Sequence, residues 1–203
     1  SYLEAASHYE IMAKASNMKT ARGANMERAY ALHKADENEQ AKALYAELAK
    51  TYPNEFTFNY DYAYVLKELK EFKPAYDYAK RAEINAYGDN WLRAIRLKAE
   101  IELALGKFDV AKDTVDGALV EVVIPSSTAN RTHRYVAALR KLSTKISAKQ
   151  LEASASYSLV LTGIRSDQDK PKVIAAVREI IGKDGKSDQE IIDGIPLTLI
   201  TAI

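Results

Sequence analysis

Small residues recur at a regular spacing through residues 29–111, in two parallel series. Each series advances by 34 and then by 36 residues, and the members are Ala29, Ala63 and Ala99, followed by Ala41, Ala75 and Ala111. Larger apolar residues take the same steps, as Leu32 does with Leu66 and Phe72 with Phe108. A period of this length is typical of proteins whose repeating unit is a pair of helices. The pattern therefore predicts antiparallel helix pairs, with an alanine at each crossing where two backbones approach closely.

Turn-forming residues mark the ends of these predicted helices. Pro53 follows the second helix of the first unit, Pro74 stands where a helix begins, and Gly106 lies in a turn between helices. Proline is favoured in the first turn of a helix, and glycine just beyond its end. We therefore place three units at residues 22–55, 56–89 and 90–121. Their first helices are predicted near residues 25–34, 59–69 and 92–104.

Further helices are predicted on both sides of the three units. Residues 2–19 carry apolar side chains that suit one amphipathic helix packed on the first unit. After a break at residues 125–128, an apolar stripe at helical spacing runs through Tyr135, Leu139, Leu142 and Ile146. The stripe predicts a closing helix, because the ends of a helical stack need a cover.

The first part of the chain resembles the tetratricopeptide repeat family over residues 22–121. The similar segments are "K-E-F-K-P-A" at 70–75 and "L-G-K-F-D-V-A" at 105–111, together with the small residue of each first helix. Asn25 and Asn59 stand where the family usually has a tryptophan. The resemblance implies a right-handed solenoid of helix pairs, which binds a peptide or a partner protein in the groove lined by the first helices. A generic helical bundle is the alternative.

The predicted groove carries large amphipathic side chains. Six residues are candidates for partner binding: Met26, Tyr30, Tyr60, Tyr64, Arg93 and Arg96. The helical register places five of them on the groove together with Glu100, and Arg93 would add positive charge at one end. Tyrosine and arginine are common anchors in protein interfaces, because each buries a large area and keeps a polar group. The alternative is that the tyrosines pack between the repeats and the arginines are solvated helix charges. The paired lysine and asparagine with which some relatives grip a C-terminal carboxylate are absent.

A basic face is predicted on the closing helix. Residues 122–151 contain no acidic residue, and four cations fall within about 80° on a helical wheel: Arg134, Lys141, Lys145 and Lys149. Such a patch could meet phosphate, anionic lipid or an acidic protein surface. A solvated face of a capping helix is the alternative.

After a polar linker at 143–156, the sequence pattern changes. Residues 157–162 read as a strand, residues 171–181 and 187–193 as helices, and residues 197–203 as an apolar strand. We therefore predict two domains, a helical repeat domain at 1–150 and a small, incomplete α/β module at 156–203. Its open strand edges are expected to pair with another chain, which would make the module an assembly contact, or with residues beyond Ile203.

This second stretch resembles the C-terminal domain of the bacterial ribosomal stalk protein. The similarity lies in "V-I-A-A-V-R-E-I-I-G" at 173–182 and "S-D-Q-E-I-I-D-G-I-P" at 187–196. The family uses basic and apolar residues of the first of these helices to contact translation factors, which here correspond to Lys170, Ile174 and Arg178. Ala175 stands where a lysine is usual.

Nothing in the sequence indicates catalysis, a cofactor or a metal site. The three histidines lie in separate predicted helices, no phosphate-binding loop follows a strand, and there is no cysteine. The formal net charge is only +1, so a nucleic-acid partner is not expected, and no apolar run approaches the roughly 20 residues that span a bilayer. The compartment is undecided: a cytoplasmic protein is favoured, and a periplasmic one stays open if a signal peptide has been removed.

Together these patterns predict a mainly α protein, a helix-pair solenoid with capping helices followed by the small α/β module. The predicted function is that of a non-catalytic interaction scaffold or adaptor that binds a protein or peptide in its groove. The C-terminal module would supply a second docking contact or self-association. The alternatives are a translation- or ribosome-associated factor and an accessory subunit of an enzyme complex.

Overall fold

The computed structural model describes residues 1–15, 17–124 and 131–161, and side chains as far as residue 153. Within these ranges the chain forms eight α-helices and no strand. The helices are α1 (Tyr2–Ala15), α2 (Met18–Lys34), α3 (Asn38–Thr51), α4 (Phe56–Glu68), α5 (Phe72–Ile84), α6 (Asp89–Ala104), α7 (Phe108–Glu121) and α8 (Arg131–Leu161).

The chain divides into two compact units, residues 1–143 and residues 144–203. In the first unit each helix packs against the next one along the chain, from α1 to α7, and α4 also contacts α6. This arrangement makes three helix pairs, α2 with α3, α4 with α5, and α6 with α7. The prediction of a mainly helical chain with paired, consecutively packed helices is confirmed. Of the second unit, the structure describes the part of α8 from residue 144 to residue 161.

The alanine series predicted from the sequence forms the centre of the packing. All six alanines are completely buried: Ala29, Ala63 and Ala99 on the first helices, and Ala41, Ala75 and Ala111 on the second helices. A methyl side chain lets the two helices of a pair approach closely. Leucine and isoleucine side chains such as Leu66, Leu92 and Ile101 fill the remaining core.

The turn inside each helix pair has the same backbone hydrogen bonds in all three repeats. The N–H groups of Glu37, Glu71 and Lys107 each donate to a carbonyl five residues earlier at 2.9 Å, that of Leu32, Leu66 and Glu102. The residue before each donor has a positive φ, 62° at Asp36, 61° at Lys70 and 73° at Gly106. This is the Schellman geometry that ends many helices. The turns repeat at the same steps of 34 and 36 residues as the buried alanines.

The other helix ends also agree with the sequence signals. Pro74 lies in the first turn of α5, and Pro53 follows the end of α3. The side chain of Asn17 caps α2, because its Oδ1 accepts a hydrogen bond from the backbone N–H of Thr20 at 3.1 Å. The loop between α3 and α4 is fixed by the completely buried Asn59, whose Nδ2 donates to the carbonyls of Pro53 and Glu55, both at 2.8 Å.

The predicted strand at residues 157–162 is wrong for residues 157–161, which continue α8. The predicted linker at 143–156 is also helical. Alanine, lysine, glutamine and leucine in this stretch favour a helix, and no glycine or proline occurs between residues 131 and 161. A short apolar run such as 159–161 cannot be assigned by its pattern alone. The rest of the predicted module, including Lys170, Ile174 and Arg178, lies outside the described residues.

Candidate functional site

A cavity of about 300 Å³ opens where the first helices of the second and third repeats lie side by side. Residues of α4, α6 and α8 line it: Tyr60, Tyr64, Lys67, Arg93, Arg96, Leu97, Glu100 and Tyr135. It therefore combines three tyrosine rings with three cations and one carboxylate. The lining residues of α4 and α6 lie roughly one repeat apart in the sequence, and the direct packing of α4 on α6 brings them together.

One wall of the cavity is an aromatic stack covered by Arg93. The rings of Phe56 and Tyr60 lie 5.3 Å apart between centroids. The guanidinium carbon of Arg93 lies 4.5 Å from the Tyr60 ring centroid and 5.6 Å from that of Phe56. Its Nη1 donates a hydrogen bond to Asn90 Oδ1 at 3.0 Å. Arg93 is therefore held in place on both its face and its edge before any ligand arrives.

Three further lining residues form a charged chain that runs from Lys67 through Glu100 to Arg96. Lys67 Nζ donates to Glu100 Oε2 at 2.8 Å, and Arg96 Nε donates to Glu100 Oε1 at 2.8 Å. Lys67 Nζ also lies 4.9 Å from the centroid of the Tyr64 ring. Burial alone would lower the pKa of Lys67, but the hydrogen bond and charge of Glu100 outweigh it, so the pKa is raised. Lys67 therefore remains charged.

Burial controls the ionisation of Tyr60, which lines the cavity, and of Asp61, which lies outside the lining but attracts Arg93. It raises the pKa of Tyr60, although the charge and hydrogen bond of Arg93 oppose the effect. Burial also raises the pKa of Asp61 to about 6, against the attraction of Arg93 and with a further contribution from the negative charge of Glu27. The phenol of Tyr60 is therefore neutral near pH 7, while Asp61 titrates just below it.

The structure brings together four of the six candidate groove residues, Tyr60, Tyr64, Arg93 and Arg96. Met26 instead packs against the core between the first two helix pairs. Tyr30 is 48% exposed, with Lys34 Nζ 5.5 Å from its ring centroid. Neither of these two lines the cavity.

Four lining residues were not among the six sequence candidates: Lys67, Leu97, Glu100 and Tyr135. Lys67 follows Tyr64 by three residues, so its place on the same helical face was readable from the sequence. Tyr135 was assigned to the apolar stripe of α8, and that stripe is buried at Leu139, Leu142 and Ile146. Its contact with the cavity depends on how α8 packs within the first unit, which no local pattern reveals.

The four cations of the predicted basic patch are all exposed. Arg134 and Lys141 lie on the part of α8 in the first unit, and Lys145 and Lys149 on the part in the second. Lys149 Nζ pairs with Glu152 Oε2 at 2.6 Å. Exposure of this kind fits a solvated helix face as well as a binding patch.

Among the described residues, no cluster of three or more His, Cys, Asp or Glu side chains could hold a metal ion. Within the same ranges, no helix has the length and apolar character to cross a membrane. No protein family, curated protein or solved structure matches this chain in sequence or structure comparisons.

Proposed function

We propose that the chain is a non-catalytic interaction scaffold of the tetratricopeptide type, which holds a peptide segment of a partner protein in the cavity between α4 and α6. The observation that carries the proposal is the convergence of Tyr60, Tyr64, Arg93 and Arg96 in that cavity. Tyrosine and arginine dominate the energetic centres of protein interfaces. Their presence on consecutive first helices supports a groove that binds protein rather than a surface that is merely solvated.

The order already present in the cavity supports the same conclusion. Arg93 is fixed by Tyr60, Phe56 and Asn90, and Glu100 is fixed by two cations. Side chains that are ordered before binding lose little conformational entropy when a ligand arrives. Little of the contact energy is therefore offset by the ordering of these side chains, and most of it contributes to affinity.

A displayed random peptide library tests this function. The library is selected on the wild-type chain, and the affinities of recovered peptides are measured by fluorescence anisotropy. Tyr64→Ala is expected to weaken them at least about tenfold, because truncation of an anchoring tyrosine removes its buried contact area. Tyr2→Ala is the matched control, since Tyr2 is 53% exposed on α1 and outside the cavity. Failure to recover any peptide, or equal affinity for both variants, would contradict the proposal.

Tyr64 also packs against the core of the second repeat, so its truncation can lower stability. The binding assays are therefore performed at a temperature at which circular dichroism shows each variant to be fully folded. A loss of binding in a folded variant assigns the effect to the cavity.

The proposed second docking contact falls on residues 162–203, outside the described residues. Light scattering of the whole chain and of a chain ending at residue 161 tests it. We expect self-association that is lost on truncation, and a monomer in both forms would contradict it.

A further inference from the structure

We propose that the cavity between α4 and α6 binds an acidic side chain of the peptide, with the two terminal amino groups of Arg96 as its docking point. The inference rests on the proposed function, because it names the class of peptide that the cavity prefers. The ligand group is an Asp or Glu side chain within a protein segment, so a free C-terminus is not required.

The residues that line the cavity differ in charge from the chain as a whole. The chain as a whole is nearly neutral, with 29 basic and 28 acidic residues. Among the residues that line the cavity, by contrast, the three cations Lys67, Arg93 and Arg96 face the single carboxylate of Glu100. Just outside the lining, Glu68 pairs with Lys67 at 3.6 Å and Asp61 attracts Arg93. In a partly enclosed site the positive charge that lines the cavity attracts an anion more strongly than it would in open water.

The three cations of the cavity differ in how far their donors are already engaged. Lys67 donates to Glu100 and its side chain is only 19% exposed. Arg93 donates to Asn90 and covers two aromatic rings. The Arg96 side chain is 51% exposed and only its Nε is engaged, by Glu100. Within the described part of the chain, neither Nη1 nor Nη2 of Arg96 donates a hydrogen bond.

Glu100 therefore has a positioning role. By accepting a hydrogen bond from Arg96 Nε at 2.8 Å, it fixes one edge of the guanidinium and leaves the other edge directed away from itself. The two terminal amino groups of an arginine match the two oxygens of a carboxylate. Lys67, held on the other oxygen of Glu100, keeps that carboxylate from swinging into the ligand position.

The tyrosines make an acidic peptide a better fit than a nucleic acid. A nucleic-acid backbone presents a continuous line of phosphates and needs a line of cations along its path. Here the cations are gathered in one cavity of about 300 Å³ that also contains a carboxylate. The phenol rings of Tyr60, Tyr64 and Tyr135 offer apolar surface to the residues that flank the acidic side chain.

The experiment selects a random library of C-terminally amidated peptides on the wild-type chain. We expect Asp and Glu to be enriched over the input library. In the recovered peptides, replacing the acidic residue with its amide should weaken binding at least about tenfold, because a charge-assisted hydrogen-bonded pair is lost. Arg96→Gln should weaken the acidic peptide and leave the amide peptide nearly unchanged, while Arg96→Lys should restore part of the difference.

The matched control is Lys73→Gln, since Lys73 is exposed on α5 and forms no hydrogen bond or ion pair within the described residues. It should leave both affinities as they are in the wild type. A uniform weakening by both substitutions would reduce the effect to general charge attraction and overturn the inference.

The outcomes separate this inference from the function on which it rests. Recovery of neutral or basic peptides that still depend on Tyr64 overturns the acidic preference and leaves peptide binding intact. Recovery of no peptide overturns both. Tighter binding of a single-stranded oligonucleotide than of any recovered peptide, lost in Arg96→Gln, overturns the choice of a protein ligand.

Discussion

Lys67 and Glu100 connect the first helices of two successive repeats, through a hydrogen bond of 2.8 Å from Lys67 Nζ to Glu100 Oε2. Their side chains are 19% and 25% exposed. The pair therefore lies inside the groove rather than on its rim. It ties α4 to α6 at the same place where the cavity opens, so the packing of the repeats and the arrangement of the site depend on one contact.

Removal of Glu100 alone should destabilise the chain. Glu100→Gln removes the shorter of the two ion pairs of the partly buried Lys67 and leaves only the pair with Glu68 at 3.6 Å. We therefore expect the free energy of unfolding to fall by about 1–3 kcal/mol. Lys67→Met with Glu100→Gln should cost less than the sum of the single changes, because the partly buried lysine that lacks Glu100 is no longer present. Urea denaturation of the double-mutant cycle measures this. Asp77→Asn, which breaks an exposed pair with Lys80, is the control and should change stability by no more than about 0.5 kcal/mol.

Glycine should improve the turn of the second repeat. Lys70 has a φ of 61°, a left-handed conformation that costs a residue with a side chain about 1 kcal/mol. Lys70→Gly should therefore raise the free energy of unfolding by about that amount, and Gly106→Ala should lower it by a similar amount. Denaturation curves of the two variants should move in opposite directions. A shift of both in the same direction would contradict the role assigned to the turn.

The crossing of the second helix pair should not accept a larger side chain. Ala63 is completely buried, so Ala63→Leu is expected to destabilise the chain by about 1–3 kcal/mol through overpacking. Ala104→Leu provides the control, because Ala104 is exposed at the end of α6. Thermal unfolding compares the two. Equal melting temperatures would place Ala63 outside the interface.

Asp61 should make stability depend on pH. Its pKa of about 6 lies above the ordinary value of 3.8, so the folded chain retains the proton to higher pH than the unfolded chain does. The contribution of this group is therefore complete below about pH 4 and is lost as the pH rises through about 6. Relative to the wild type, Asp61→Asn should gain on the order of 2 kcal/mol between pH 4 and pH 8.

Urea denaturation of both proteins across this range measures the difference. Asp77→Asn, the same change at an exposed position, serves as the control. A constant difference between the wild type and Asp61→Asn would mean that Asp61 is solvated.

The repeat architecture was predictable because it is a property of spacing. The positions of Ala63 and Ala99 reveal the period directly, and Gly106 and Pro74 mark the ends of helices. Asn59 was recognised only as a replacement for a tryptophan. Its role in holding the carbonyls of Pro53 and Glu55 depends on a loop conformation that no period specifies.

The site was predictable only in part, for a related reason. The register along one helix places Tyr60 and Tyr64 on one face, and the same reasoning extends to Lys67. Arg93 is engaged by Asn90, whereas Arg96 is held by Glu100 only through its Nε. This difference depends on hydrogen bonds between packed side chains, which the sequence pattern does not reveal. The continuation of α8 through 157–161 was missed, because a short apolar run fits a helix as well as a strand.

The packing of each helix on its sequence neighbours has a consequence for folding kinetics. From α1 to α7, the main contacts join helices that are adjacent in the chain or separated by one helix. Loops that must close before these contacts form are short, so the entropic barrier is small and folding is expected to be fast for a chain of this length. Repeat arrays of this kind open from their ends by local unfolding. Helix α1 and the pair α2 and α3 can therefore fray while α4 and α6 keep the cavity intact.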